Sequence, residues 1–292
     1  MGDITLRKAL EDYKTVHMPY RNFAERTREE YINDLRGLLK FLEQAGIRYA
    51  TEIGLPIIER YAAHLEQEGF ASLTRKRKIV AIRSFLSFLY QESYIHNNVA
   101  KQIVLPFSEN TNPFVLTQTE CNKLRSACAN NPRDRAIIEL LLQTGITLSE
   151  LIHLTLNDLQ LGEREHGFMR TLGSRGKKER LIPLNTKASV ALRNYLSMRQ
   201  PSESDIIFLN RFGEALGERG VQKMLRKYIK RAEIGNASIR TLRHTFGVQH
   251  IAKGTSLETI RDVMGFKDAR STTLYVELAK RLISKELQVN AL

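Results

Sequence analysis

Apolar side chains recur every three to four positions through much of this chain. Tyr31, Leu35, Leu38 and Leu42 trace one helical face, and Ile58, Tyr61, Ala62 and Leu65 trace another. A third stripe, Ile79, Ile82, Leu86 and Leu89, predicts a helix over about 72–91. This spacing returns side chains to one face of a 3.6-residue repeat. Residues 1–104 therefore read as a helical domain. The pattern breaks at residues 105–116, LPFSENTNPFVL, where two prolines and a polar centre mark a linker. Thr117 and Glu120 then carry a capping-box signature, which predicts the start of a second domain, 117–292. Helices are expected near 118–129 and 132–143, with Gly145 at the C′ position of the second. Residues 166–184 show two apolar arms around a Gly-rich basic tip, the pattern of a β-hairpin. A helix near 187–199, a short strand from Ile206 to Leu209 and a helix near 218–233 follow. Further helices are expected near 240–253, 257–264 and 278–288. The fold class is mainly α with a small β-hairpin or sheet.

Composition adds a partner. The 292 residues suffice for about two domains, and 42% apolar residues for their cores. A net charge of +13 makes nucleic acid the leading ligand. Residues 1–108 hold 16 Lys and Arg against 13 Asp and Glu, and the remainder holds 29 against 19. The second domain is thus the main polyanion-facing part. Arg75, Lys76, Arg77 and Lys78 sit in the first turns of the third helix, where they oppose the helix dipole. Contact with DNA phosphate accounts for them, with a solvated face as the alternative. Lys223, Arg226, Lys227, Lys230 and Arg231 lie largely off the apolar side formed by Val221, Leu225, Tyr228 and Ile229. No apolar run reaches membrane-spanning length, and residues 1–20 lack a signal-peptide core. Cys121 and Cys128, seven apart on an expected helix, read as two buried thiols. A cytoplasmic protein is expected.

The candidate chemistry lies at 239–276. Arg240 and Arg243 with His244 form an Arg-x-x-Arg-His cluster, and Tyr275 follows Ser271-Thr272-Thr273. Folding can bring the basic pair and the phenol to one site, where a phenol can attack a DNA phosphate. Tyr275 can also simply pack, and His244 can be a structural histidine. Carboxylates do not cluster and the histidines lack paired ligand spacing, so metal-dependent nuclease chemistry is not supported. No Gly-rich phosphate loop occurs.

These segments, in this order, resemble the tyrosine recombinases, the phage integrase and Xer family. ERTREEYINDLRGLLKFL and SLTRKRKIVAIRSFLSFLY resemble helices of its core-binding (SAM-like) domain. LLLQTGITLSELIHLTLNDL, GSRGKKERLIPL, IRTLRHTFGVQHIAKG and VMGFKDARSTTLYVEL resemble the boxes and hairpin of its catalytic domain. The resemblance implies a clamp on double-stranded DNA and attack by a tyrosine to give a 3′-phosphotyrosyl bond. It implies no metal or nucleotide cofactor. It also implies self-association on DNA, as a dimer or tetramer, through a C-terminal helix whose stripe here is Leu278, Leu282, Ile283 and Leu287.

Position by position, Tyr275 takes the nucleophile's place, Arg243 the second arginine's, and His244 follows it. The first arginine's slot is Thr147, the hairpin lysine's slot is Arg175 beside Lys177 and Lys178, and the position three before Arg243 is Arg240. Phe266 stands where His or Trp is usual. Thr147 offers one neutral hydroxyl in place of a bidentate guanidinium. Losing one transition-state donor costs about 2.7–4 kcal/mol. Arg175 holds its proton too tightly for a good general acid. The expectation is a duplex DNA-binding protein, a repressor or accessory factor, with cleavage through Tyr275 impaired or absent. The alternative is an active site-specific recombinase with a rearranged site.

Overall fold

The computed structural model describes residues 3–107, 112–162, 167–171, 179–266 and 270–289, without the side chains of 270–272 and 285–289. The chain divides into two compact units, Met1–Thr111 and Asn112–Leu292.

The first unit is helical throughout. Helix α1 (Leu6–Asp12) runs through a π-helical turn (Tyr13–His17) into α2 (Met18–Tyr20). Three longer helices follow, α3 (Glu25–Gln44), α4 (Leu55–Gln67) and α5 (Ser72–Gln91). The expected stripes form the core: Leu35, Leu38 and Leu42 of α3, Ile58 and Leu65 of α4, and Ile79, Ile82, Leu86 and Leu89 of α5 are buried. Tyr31 and Ala62 pack at its edge. Tyr13 and Met18 also enter this core, although they were not part of any expected stripe. The π turn breaks the 3.6 repeat there, so a periodicity search passes over them.

One polar group is buried among these apolar side chains. Asp34 of α3 is 3% exposed. It accepts from Lys78 Nζ at 2.9 Å and from Arg77 Nη1, both on α5. The carboxylate therefore ties α3 to α5, and the two cations supply the partners that burial demands.

The second unit opens with α6 (Gln118–Ala127), and the expected capping box is present: Thr117 N donates to Glu120 Oε2 at 2.8 Å. Helix α7 (Pro132–Thr144) ends at Gly145 with φ +62°, where a Cβ would lie 2.5 Å from the Phe246 ring. The short α8 (Leu148–Ile152) follows. A three-stranded antiparallel sheet comes next, β1 (Leu159–Leu161), β2 (Gly167–Thr171) and β3 (Arg180–Leu184), in that order. Met169 pairs with Leu159 and with Ile182, which fixes the register. The hairpin expected at 166–184 thus gains a third strand.

Helix α9 (Thr186–Leu196) packs on α7, and α10 (Glu218–Arg231), α11 (Ile239–Ala252), α12 (Leu257–Met264) and α13 (Arg270–Val289) complete the unit. Two expectations need correction. Ile206 to Leu209 makes isolated bridges, Thr155 with Ile206 and Leu209 with Ala215, and forms no strand. Its apolar side chains, Ile207 and Phe208, are simply buried, which mimics a strand in sequence. The last helix begins at Arg270, not near 278, so Tyr275 lies inside it. Cys121 and Cys128 are free and buried, and burial pushes the Cys128 thiol up to about 11.

The ion pairs on Asp34 generate a stability prediction. Asp34→Ala would leave the Lys78 ammonium, 13% exposed, without its partner. The first unit should lose about 3 kcal/mol, read from its urea unfolding transition. A loss under about 0.5 kcal/mol would mean that water already carries these charges.

Candidate active site

Ser238 starts the site by capping α11. Its hydroxyl accepts from Thr241 N at 3.2 Å, and Thr241 Oγ1 accepts from Ser238 N at 3.0 Å. On the helix so begun, Arg240, Arg243, His244 and Gly247 fall at spacings of three and four, hence on one face. Helix α13 brings Tyr275 against that face.

Arg243 is 8% exposed. Its Nη1 donates to Gly145 O and its Nη2 donates to Met264 O at 2.6 Å. The guanidinium carbon stands 5.0 Å from the centre of the Phe266 ring. Burial lowers the Arg243 pKa, while Glu150 and Tyr275 pull the other way. Arg240 is exposed at the first turn of α11 and has no ion pair among the described residues.

Tyr275 is 2% exposed. Its hydroxyl lies 2.8 Å from His244 Nδ1, and its ring packs edge-on to that imidazole and tilted to Phe266. Gly247 makes room for it: a Cβ there would meet the Tyr275 ring at 2.7 Å and Met264 Sδ at 3.1 Å. Burial raises the Tyr275 pKa, against the pull of Arg243 and Arg240, so the phenol is protonated near neutrality. Burial, and after it Arg240 and Arg243, push His244 down to about 4, so its ring is neutral there.

A second guanidinium lies close by, its side chain 10% exposed. Arg180, at the start of β3, donates from Nη1 to Glu150 Oε1 at 2.7 Å and from Nε to Val263 O at 2.7 Å. A Cβ on Gly265 would lie 2.9 Å from its Nη1. Glu150 also accepts from Thr147 N at 2.8 Å. Burial alone would raise the Glu150 pKa, but the Arg180 and Thr147 bonds outweigh it and hold the carboxyl below its ordinary value. Thr147 is the N-cap of α8, its hydroxyl accepting from Glu150 N at 3.2 Å.

The sequence of this unit matches the family model described as the phage integrase family over residues 115–281. Residues 10–93 match the model for the phage integrase N-terminal SAM-like domain. The chain belongs to the phage integrase family. It is 32% identical over 284 residues to the tyrosine recombinase XerC of Pelotomaculum thermopropionicum, covering 91% of this chain and 92% of that one. It is 31% identical over 287 residues to XerD of Halalkalibacterium halodurans, covering 94% and 95%. A structure of XerH recombinase bound to palindromic difH, a post-cleavage complex, shares the fold with TM-score 0.77 at 20% identity, over 97% of this chain and 83% of that one. A lambda integrase tetramer on a Holliday junction shares it with TM-score 0.78 at 16% identity, over 94% and 78%.

Within this family member, the fold brings Tyr275, His244, Arg243 and Phe266 together. Arg175, Lys177 and Lys178 lie outside the described residues. Sequence reasoning passed over Arg180, Glu150 and Gly247. The Thr147-x-x-Glu150 capping box was a legible signal for Glu150, since it has the same form as Thr117-x-x-Glu120. Nothing in one sequence marks the Gly247 recess.

The two expected DNA-contact clusters fare differently. Arg75 pairs with Glu66 at 2.6 Å, and Arg77 and Lys78 pair with Asp34. Much of that charge is already answered inside the first unit. Lys223, Arg226, Lys227 and Lys230, with Arg231, are exposed on α10, and no carboxylate pairs with them among the described residues. Lys227 Nζ lies over the Tyr228 ring, 5.1 Å from its centre.

The Gly247 recess is testable. Gly247→Ala puts a methyl where the Tyr275 ring lies, and overpacking of this kind costs about 1–3 kcal/mol. Thermal unfolding should shift down, and the Tyr275 hydroxyl should leave His244, visible as a change in the His244 imidazole nitrogen shifts. An unchanged His244 spectrum would show that the ring tolerates the methyl.

Proposed function

We propose that this chain binds a specific duplex DNA site and cleaves it through Tyr275 only weakly, so that DNA binding, in a repressor or accessory role, is its main work in the cytoplasm. One observation carries the reading. A phenol, an imidazole and a guanidinium converge at one place, while the residue in the first arginine's slot, Thr147, serves as a helix cap. Arg243 and Arg240 would hold the phosphate, and Tyr275 would attack phosphorus. A guanidinium at 147 would add paired, charge-assisted donors that threonine lacks. Similarity over nearly the full length to tyrosine recombinases XerC and XerD favours a second reading, full strand exchange with a rearranged site.

DNA would meet the exposed cations of α10, and Arg75, Lys76, Arg77 and Lys78 of α5 would add contacts as far as their ion pairs allow. Self-association would use the far end of α13. Leu278 and Ala279 are buried against the chain's own second unit, and Leu282 packs on the same cluster, whereas Ile283 is exposed.

Replacing Lys223, Lys227 and Lys230 with Ala should weaken duplex binding across many sequences and flatten its salt dependence, because each neutralised phosphate releases counterion. Ending the chain after Ser284 should lower the cooperativity of that binding and leave single-site affinity intact. Affinity measured against salt checks both; a salt-independent wild-type affinity would defeat the DNA-binding reading.

Cleavage is tested on a duplex enriched from a random pool by the protein itself, then nicked opposite each candidate phosphate. Tyr275→Phe should abolish any covalent adduct and leave affinity nearly unchanged. Thr147→Arg should raise adduct formation by about 10²–10³. Loss of the Thr147 cap should cost about 1 kcal/mol of stability, less than the barrier reduction sought. An inert Thr147→Arg protein would leave DNA binding without chemistry as the function.

A further inference from the structure

We infer that His244 is the proton acceptor for Tyr275 during strand cleavage. This rests on the reading of Tyr275 as the nucleophile. The geometry is direct: the phenolic oxygen lies 2.8 Å from Nδ1, inside a pocket where Tyr275 is 2% exposed. A buried hydroxyl hydrogen needs an acceptor, and among the described residues Nδ1 of His244 is the one partner of this phenol. The Tyr275 O–H therefore donates to Nδ1, and the imidazole carries its own proton on Nε2. That is the tautomer a proton acceptor needs before attack. The position three before Arg243 cannot fill this role, because it holds Arg240, and a guanidinium does not give up its proton.

The step balances without a further reactant. The Tyr275 oxygen forms a bond to phosphorus, and its proton passes to His244 Nδ1, giving an imidazolium. The bond from phosphorus to the 5′ oxygen breaks, and that oxygen leaves with the electron pair and takes a proton from water. On rejoining, the 5′ hydroxyl bonds to phosphorus and gives its proton to water, the bond from phosphorus to the Tyr275 oxygen breaks, and the imidazolium returns its proton to that departing oxygen.

The surrounding charges make this base respond to substrate. Burial disfavours the imidazolium in the free protein, and the positive field of Arg240 and Arg243, on the same helix as His244, adds to it. A phosphodiester seated on those arginines brings a negative charge that offsets the field. The imidazole becomes a better base when the scissile group is in place. The phenol ring is packed in one buried cluster with Met264, and the missing side chain of Gly247 leaves it room there.

The experiment uses the full-length protein and the enriched nicked duplex, in the wild-type and Thr147→Arg backgrounds. His244→Ala should lower the rate of covalent adduct formation by about 10²–10⁴, with duplex affinity kept. Added imidazole should restore part of that rate, and substituted azoles should rank by their basicity. His244→Gln, which can still accept a hydrogen bond but is not basic, should be as slow as His244→Ala. A rate in His244→Gln near wild type would overturn the proposal in favour of a positioning role. A faster rate in His244→Ala would overturn it too, since the pair would then be a lock on the tyrosine. Both results leave Tyr275 as the nucleophile. No adduct in either background, despite tight DNA binding, would overturn the nucleophile reading and this inference together.

Discussion

Arg243 places a permanent cation at 8% exposure, and its fork is accepted by two carbonyls, those of Gly145 and Met264. Both acceptors lie at the ends of helices that stop on a left-handed glycine, Gly145 after α7 and Gly265 after α12. Helix C-termini carry partial negative charge from their unpaired carbonyls, which favours a cation there. One side chain thus gathers α7, α11 and α12. Phe266 closes the guanidinium's open face at 5.0 Å. Were Arg243 replaced by a neutral side chain, those carbonyls would be left short of donors in a buried place. The residue that would hold the phosphate is therefore also the one around which its pocket is built.

That dual demand explains the state of the neighbouring groups. Among the described residues the pocket holds two guanidinium groups, the buried Arg243 and Arg180, whose side chain is 10% exposed, and Glu150 is the carboxylate that pairs with Arg180. Burial, and after it the positive field of Arg240 and Arg243, keeps protons off His244, while the same burial holds the Tyr275 phenol protonated against that field. A neutral imidazole beside a neutral phenol is the arrangement that burial favours for both. It is also a poised one, since any anion that enters changes the balance for both partners at once.

Much of this fold was legible in sequence, because α3, α4 and α5 bury the very stripes their spacing implies. The Thr117 and Glu120 box was legible for the same reason, as a local motif whose partners are three residues apart. What escaped depends on distant contacts or broken periods. The π turn at Tyr13–His17 hides two core residues from a 3.6 repeat. Ile206 to Leu209 looks like a strand because burial alone selects its apolar residues. The site was legible as a set of residues: Tyr275, Arg243 and His244 were all picked out, with Phe266 and Thr147 as departures. Its geometry was not, because Arg180 and Gly247 matter through neighbours 30 and 28 positions away, Glu150 for one and Tyr275 for the other.

The basic composition needs the same correction from structure. A net charge of +13 suggests a broad DNA-facing surface, yet many cations are committed inside the protein. Arg77 and Lys78 answer Asp34, Arg125 answers Glu139, and Arg199 donates to the carbonyls of Ser204, Ile206 and Ile207. A cation held in such a pair cannot also neutralise a phosphate without exposing its first partner to a cost. The cations of α10 carry no such obligation among the described residues. Lys223, Lys227 and Lys230 recur at spacings of four and three, with Arg226 and Arg231 beside them, on a helix whose other side is core, Val221, Met224, Leu225, Tyr228 and Ile229. The apolar side fixes the helix to the unit, and that fixing holds the charged side outward as a rigid array. A polyanion can meet it there without first displacing an internal partner.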